Sequence, residues 1–343
     1  MTEIEPYVKD PRLPEIHSLI SSYGGDPKSF EGELVTQLIQ TSLRMITEGH
    51  DHGQLKLMNR ALKEMRYAYR IFNRHPGDRR VSIFGSARTP EEHPDYHAAK
   101  QFATEMGKHG WNCMTGAANG IMKAGLEGPH PETTFGLSIR LPMESTINSV
   151  IEGNPKLITF RYFFTRKLMF MGHSDAAAVF PGGFGTLDEL FEFLTLMQTG
   201  KTNIIPIVLL EGLKRDYWKS WEDYLKKNLL ENGWISPFDV NFYYKADSVE
   251  DGVEHIQKFY SRYHSSRYVK DFFVIRLHRP LTPEQIDMLN QNYSALVKAG
   301  KIYQDGPFPE ETEHLGCPRI IFEHTRKDFG LVRLMIDQIN KFE

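Results

Sequence analysis

Ala176-Ala177-Ala178-Val179-Phe180-Pro181-Gly182-Gly183-Phe184-Gly185-Thr186-Leu187-Asp188-Glu189 is the stretch in which the texture of the chain is easiest to read. Five apolar residues without a polar interruption describe a strand buried on both faces. Three glycines in four positions follow. The apolar spacing after Thr186 then predicts a helix over 186–199. Glycines let a backbone approach a ligand closely or adopt positive φ. A helix that opens at such a loop aims free N–H groups and the positive end of its dipole at whatever sits there. The Thr186 hydroxyl can donate to the same place. The pattern points to a small phosphorylated ligand, a nucleoside 5′-monophosphate. The plainer alternative is a tight strand-to-helix turn.

The same alternation extends outward. Strands are predicted at 81–84, 111–115, 134–139, 157–160 and 204–210. Helices are predicted at 96–108, after Gly120, at 161–172 and at 217–229. Strands alternating with helices imply an α/β fold with a doubly wound parallel sheet covered on both faces. Ligands of such sheets bind at the carboxyl ends of the strands. Three of these strands run into small-residue turns, at Gly85-Ser86, at Gly116-Ala117-Ala118-Asn119-Gly120 and at Gly182.

Upstream, residues 1–30 carry several prolines and the turn Gly24-Gly25-Asp26-Pro27, and read as an extended or irregular arm. Two helices are expected next. One covers 33–46, with Leu34, Val35, Leu38, Ile39, Leu43 and Ile46 at helical spacing. The other covers 55–72, with Leu55, Met58, Leu62, Met65, Tyr69 and Phe72. Their stripes must pack on the main domain or on a second subunit. Downstream, a helix is expected at 248–263 and a linker at His264-Ser265-Ser266. Beyond it come strands at 272–277 and 319–322 and helices at 282–296 and 329–339. The expected organisation is an N-terminal arm and helical segment (1–78), a nucleotide-binding domain (79–264) and a small α+β C-terminal domain (265–343).

Composition narrows the function. Hydrophobic residues form 40% of the 343, enough for a sizeable core, and a net charge of −3 gives no reason to expect a nucleic-acid partner. No apolar run approaches the ~20 residues of a membrane span. Met1-Thr2-Glu3-Ile4-Glu5-Pro6 is acidic and polar, unlike a signal peptide. The two cysteines, Cys113 and Cys317, form no C-x-x-C pattern and no disulfide framework, so a cytoplasmic location is expected. Other motifs fail on inspection. G-x-G-x-x-G does not occur here. Gly200-Lys201-Thr202 ends like a P-loop, but Thr195 stands where the leading glycine belongs. His93 and His97 are spaced like helical zinc ligands, but Pro94 lies between them and no Glu follows His93, so no metal is expected.

Two further residues bear on chemistry. Glu189, three positions after Thr186, reads either as the far half of a capping box or as a carboxylate one turn from the phosphate site, near the sugar. Arg166-Lys167 reads as a solvated pair. Alternatively, among Phe163, Phe164, Met169 and Phe170, it lies on a largely buried helix where Arg166 needs a carboxylate such as Glu189, or a phosphate, as partner.

Tyr162-Phe163-Phe164-Thr165-Arg166-Lys167 followed by Pro181-Gly182-Gly183-Phe184-Gly185-Thr186-Leu187-Asp188-Glu189 resembles the signature of the Lonely Guy (LOG) family, long described as possible lysine decarboxylases. Phe84-Gly85-Ser86-Ala87-Arg88 is similar to that family's first turn, and the resemblance covers about 79–260. It implies a Rossmann-like fold and no metal or other cofactor. The implied reaction is hydrolysis of the N-glycosidic bond of a nucleoside 5′-monophosphate, AMP or a cytokinin riboside monophosphate, to free base and ribose 5-phosphate. It makes Arg166 and Glu189 catalytic and Gly182, Gly183, Gly185 and Thr186 phosphate-binding. Ser86 would line the site, and Lys167, Gly116, Asn119 and Lys123 would stand at its rim. It also implies a homo-oligomer. Many members carry a Glu where this chain has Lys123, which bears on rate and base preference.

Cleavage of this bond passes through an oxocarbenium-like sugar. Glu189 is expected to stabilise that charge as a carboxylate kept anionic by Arg166. The rival reading is a carrier or sensor, of a nucleotide or of a molybdenum-cofactor type of ligand, without hydrolysis. Decarboxylation would need a lysine bound to pyridoxal phosphate, and no lysine stands out for it.

Overall fold

The computed structural model describes residues 10–77, 79–141, 147–212 and 216–342. The stretch Met1–Pro6, read above for its polarity, lies outside them. The chain divides into two compact units, Met1–Arg66 and Tyr67–Glu343.

In the first unit, helix α1 (Leu13–Ser22) stands where the sequence suggested an irregular arm. Pro14 lies in its first turn, where a missing N–H costs nothing. Helix α2 (Phe30–Arg44) is capped by Ser29, whose hydroxyl accepts from the Gly32 N–H. It buries Gly32, Thr36 and Gln40, while Leu34, Val35, Leu38 and Ile46 of the expected apolar stripe are exposed. Helix α3 (His52–Phe72) completes the N-terminal helices and runs past residue 66.

The second unit holds seven parallel strands in the order β4-β3-β2-β1-β5-β6-β7. They are β1 (Arg80–Phe84), β2 (Asn112–Thr115), β3 (Thr134–Ile139), β4 (Leu157–Phe160), β5 (Ala176–Val179), β6 (Ile207–Leu209) and β7 (Tyr243–Lys245). Helices α4 (Pro94–Lys108), α5 (Ile121–Glu127), α6 (Phe163–His173), α7 (Phe184–Gln198) and α8 (Tyr217–Leu225) lie between them in sequence, and α9 (Val249–Phe259) follows β7. The Rossmann-like α/β architecture is therefore as the alternation implied. Val81, Ile83, Ala176, Ala178, Phe102, Met106 and Ile256 meet in one core. Full burial of a Val or Ile side chain there is worth roughly 1.5–3 kcal/mol. The alanines of β5 let the covering helices close on the sheet.

The chain builds outward from β1 to β4, then returns to lay β5 against the other side of β1. Val81 pairs with Cys113 of β2 and with Ala176 of β5. The strand order thus reverses between β1 and β5, and the crevice beyond their carboxyl ends is the natural ligand position of such a sheet.

The segment His264-Ser265-Ser266 is not a linker. It lies within β8 (Tyr263–Val269), an edge strand whose polar residues hid its pairing with β9 (Phe272–Leu277). Strands β10 (Val297–Asp305) and β11 (Arg319–His324) complete an antiparallel sheet of order β10-β11-β9-β8, with helices α10 (Pro283–Tyr293) and α11 (Phe329–Lys341). Gly200, at the end of α7, faces the Phe329 ring so closely that a Cβ there would strike it.

Candidate active site

Two turns meet at the switch point. The turn after β1 is tied to the turn after β5 by a hydrogen bond from the Ser86 N–H to the Pro181 carbonyl, 3.1 Å. The Ser86 carbonyl accepts from the Ile121 N–H at 3.1 Å, which brings in the start of α5. The Ser86 hydroxyl accepts from the Arg88 N–H at 3.1 Å and shapes the first turn. These bonds surround a cavity of about 710 Å³. Of the residues singled out by sequence, Ser86, Arg166, Gly182, Gly183, Gly185, Thr186 and Glu189 all line it. Lys167, Gly116, Asn119 and Lys123 are not among the lining residues.

The glycine loop and the helix behind it are one object. Helix α7 begins at Phe184 with Gly183 as its N-cap, two residues earlier than the apolar pattern suggested. The loop gains nothing from positive φ, because Gly182, Gly183 and Gly185 all lie outside that region. At Gly182 a Cβ would collide with the Thr186 hydroxyl. At Gly183 and Gly185 a Cβ would meet no atom of the chain within 4 Å. Neither packing nor backbone conformation asks for glycine at these two positions. The Thr186 N–H is used by the Gly183 carbonyl at 3.1 Å. Among the described residues, the N–H groups of Gly183, Phe184 and Gly185 have no backbone acceptor, as expected of a first turn.

Glu189 is 6% exposed, on the second turn of α7. It does not close a capping box, since the helix starts too early and the Thr186 N–H is already bonded. Its Oε2 is buried without a hydrogen-bond partner. Burial pushes its pKa up to about 7, against the opposing pull of Arg166 and Lys167. The expectation that Arg166 holds Glu189 anionic at neutral pH is thereby corrected. Desolvation outweighs the guanidinium, because among the described residues no direct ion pair joins the two side chains.

Arg166 is held instead by the main chain. Its Nε donates to the Leu137 carbonyl at 2.7 Å, and its guanidinium lies over the Phe170 ring. Gly116 makes room for it, because a Cβ there would collide with Arg166 Nη2. Burial lowers the Arg166 pKa and Glu189 raises it. Helix α6 is less buried than its aromatic residues suggested. Met169 and Phe170 face inward, whereas Phe163 and Phe164 are about half exposed. Phe163 and the almost fully exposed Phe184 both stand at the cavity.

Of the expected rim residues, Lys123 and Lys167 are ion-paired, Lys167 to the cavity-lining Asp188, and Asn119 faces solvent. Lys167 pairs with Asp188 at 2.8 Å and Glu192 at 3.5 Å. Lys123 pairs with Glu91 and Glu127. Asn119 is exposed. Its turn is held by Asn148, whose amide donates to the carbonyls of Ala117 and Ala118, with Ala117 at a φ of 62°. Among the described residues no group of three or more His, Cys, Asp or Glu is placed to hold a metal ion. No described helix is long and apolar enough to cross a membrane.

Residues 114–256 match the family model described as possible lysine decarboxylase. The resemblance to the LOG family is supported over this segment, less than half of the chain. Over 99 residues the chain is 32% identical to a cytokinin riboside 5′-monophosphate phosphoribohydrolase, LOG1 of Arabidopsis thaliana, covering 29% of this chain and 44% of that protein. It is 34% identical over 99 residues to the protein of the same name from Mycobacterium tuberculosis, covering 29% and 50%. The match thus spans about half or less of the curated relatives' length. Among solved structures, the molybdenum cofactor binding protein from Rippkaea orientalis is 21% identical with a TM-score of 0.39, over 53% of this chain and 97% of that one.

Proposed function

We propose that the protein hydrolyses the N-glycosidic bond of a nucleoside 5′-monophosphate, AMP or a cytokinin riboside monophosphate, to free base and ribose 5-phosphate. The observation that carries this reading is the pair of glycines, Gly183 and Gly185, whose Cβ positions face open space and whose N–H groups have no backbone acceptor among the described residues. A phosphate accepting from a helix N-terminus fills such a space. From there, Glu189 is one turn along the same helix, in position to meet the sugar. Its carboxylate stabilises positive charge developing at C1′, and its raised pKa makes the reactive anion sensitive to pH near neutrality. Arg166 supplies a fixed positive charge beside it. Phe163 and Phe184 offer apolar faces at the mouth for the base. The names of the curated relatives agree with this chemistry.

The direct test is incubation of the purified chain with AMP and with a cytokinin riboside monophosphate, following free base and ribose 5-phosphate by chromatography. Base release supports the reading. Binding without release would turn it into a carrier or sensor, and carbon dioxide from lysine would refute it. Two variants sharpen the assignment. Gly116→Ala is expected to push the Arg166 guanidinium off the Leu137 carbonyl and slow base release about 10-fold, short of the roughly 10²-fold cost of a full ångström of misplacement. Lys123→Met is expected to change kcat/KM by less than ~3-fold, because an ion pair outside the cavity lining contributes little. A larger loss there would return Lys123 to the site.

A further inference from the structure

Behind the glycine loop lies a tyrosine that no motif singles out. The Tyr217 hydroxyl donates to the Gly182 carbonyl at 2.6 Å, across 35 residues of sequence. Tyr217 opens α8, and that end of the helix is anchored firmly. The Glu211 carboxylate accepts from the Tyr217 N–H at 3.4 Å and from the Trp218 N–H at 2.9 Å. Trp218 is fully buried, and its indole N–H donates to the Leu210 carbonyl at 3.0 Å, directly after β6. The Gly212 N–H bonds to Asp95 Oδ1 at 2.6 Å, which ties the same stretch to the start of α4. The hydroxyl is therefore held by the end of β6 and the first turns of two helices.

A trans peptide is planar, with its C=O and N–H pointing in opposite directions. A carbonyl of Gly182 drawn toward Tyr217 turns the N–H of Gly183, in the same peptide unit, the other way. Tyr217 lines a neighbouring cavity with His93, Asp95, Pro181 and Glu211, which shares Leu187 with the candidate active site that Gly183 lines. Burial pushes the Tyr217 pKa up, so the hydroxyl keeps its proton and remains a donor. Gly182 has no side chain to hold the unit by other means, and Gly183 has no neighbour within 4 Å of a Cβ position. Among the described residues the Tyr217 hydroxyl is the one donor to the Gly182 carbonyl, and that bond sets the direction of the peptide.

We infer that Tyr217 is a positioning residue for the phosphate of the substrate, acting through the Gly182–Gly183 peptide and never touching the ligand. The inference rests on the phosphate-binding reading of the loop. Without the hydroxyl the direction of the peptide is less firmly set, and the Gly183 N–H is presented to the phosphate less well. Because the substrate keeps its phosphate and the loop keeps its other N–H donors, the loss acts on binding more than on the chemical step.

The test is Tyr217→Phe, which keeps the ring and removes the donor. The expected result is a KM for AMP raised about 10-fold, and competitive inhibition by ribose 5-phosphate weakened by the same factor. The expected kcat stays within about 3-fold of the parent, since one hydrogen bond of ordinary strength is lost. Turnover of adenosine, where measurable, should not change, because adenosine has no phosphate to lose contact with. A folded Tyr217→Phe chain with unchanged KM and unchanged inhibition by ribose 5-phosphate overturns the inference, as does a loss confined to kcat. If the parent chain binds AMP without hydrolysing it, titration calorimetry with AMP replaces the kinetics, and about 10-fold weaker binding by the variant still supports the role. If the parent neither hydrolyses nor binds AMP, the phosphate reading fails first and the inference falls with it. Should Tyr217→Phe unfold, Glu211→Gln, which loosens the start of α8 from one step further back, is expected to raise KM in the same direction by a smaller factor.

Discussion

Glu189→Gln is expected to lower base release from AMP by at least ~100-fold while AMP still binds, the scale of removing one well-placed electrostatic group. The substitution keeps the size of the side chain and removes its charge. Glu189 is buried, lines the cavity and has an oxygen without a partner, so little else in the protein depends on its carboxylate. A variant that turns AMP over near the parent rate would place the charge stabilisation elsewhere. The same change has an opposite expected effect on stability. Burial raises the Glu189 pKa from 4.5 to about 7, so between those values the folded chain holds a proton that the unfolded chain has released. The stability contributed by that proton is complete below about pH 4.5, falls as pH rises and is lost above about 7. At pH 8 the folded protein carries a desolvated carboxylate at a cost of up to about 3 kcal/mol. Glu189→Gln should therefore raise Tm by several degrees at pH 8 and leave it nearly unchanged near pH 4.5, as followed by thermal melting. A structural cap would give the reverse, a loss of stability at neutral pH. Loss of activity together with a gain in stability is the behaviour of a residue kept for chemistry.

Much of this site was legible because its parts lie next to the strongest fold signals. Strands β1 and β5 are short apolar runs that stop at small-residue turns, while their adjacency in the sheet comes from a strand order that the alternation alone does not fix. Ser86, Gly182 and Thr186 come together because both turns sit at the switch point. Residues without a local signature were less readable. Strands β7, β8 and β10 are polar edge strands, and β10 also breaks register against β11, so neither period nor apolar content marks them. Helix α1 was hidden by a proline that its first turn accommodates. The protonation of Glu189 depends on a competition between burial and Arg166, which residue spacing cannot weigh. Tyr217 acts on Gly182 through a bond between two separate βα connections, and no short motif spans that distance.

Adenosine is expected to be hydrolysed at least ~10³-fold less efficiently than AMP, measured as kcat/KM for adenine release. The free N–H groups of Gly183, Phe184 and Gly185 stand at the start of α7, where the helix dipole adds its positive end. Hydrogen bonds to a charged group contribute about 1.5–3 kcal/mol each, so two or three of them on a dianionic phosphate supply about 4 kcal/mol or more. That free energy corresponds to about 10³-fold in rate at limiting substrate. The phosphate is remote from the bond that breaks, so part of its binding energy acts by fixing C1′ against Glu189 and part by raising affinity. The loss with adenosine should therefore appear in kcat as well as KM, in contrast to Tyr217→Phe, where KM carries most of it. Ribose 5-phosphate and inorganic phosphate should compete with AMP, and ribose should not. Thr186→Val, which keeps the shape of the side chain and removes its hydroxyl, should narrow the preference for AMP over adenosine without changing the slow rate with adenosine. Equal release of adenine from AMP and adenosine would remove the glycine loop from the mechanism, and the open space at Gly183 and Gly185 would need another occupant.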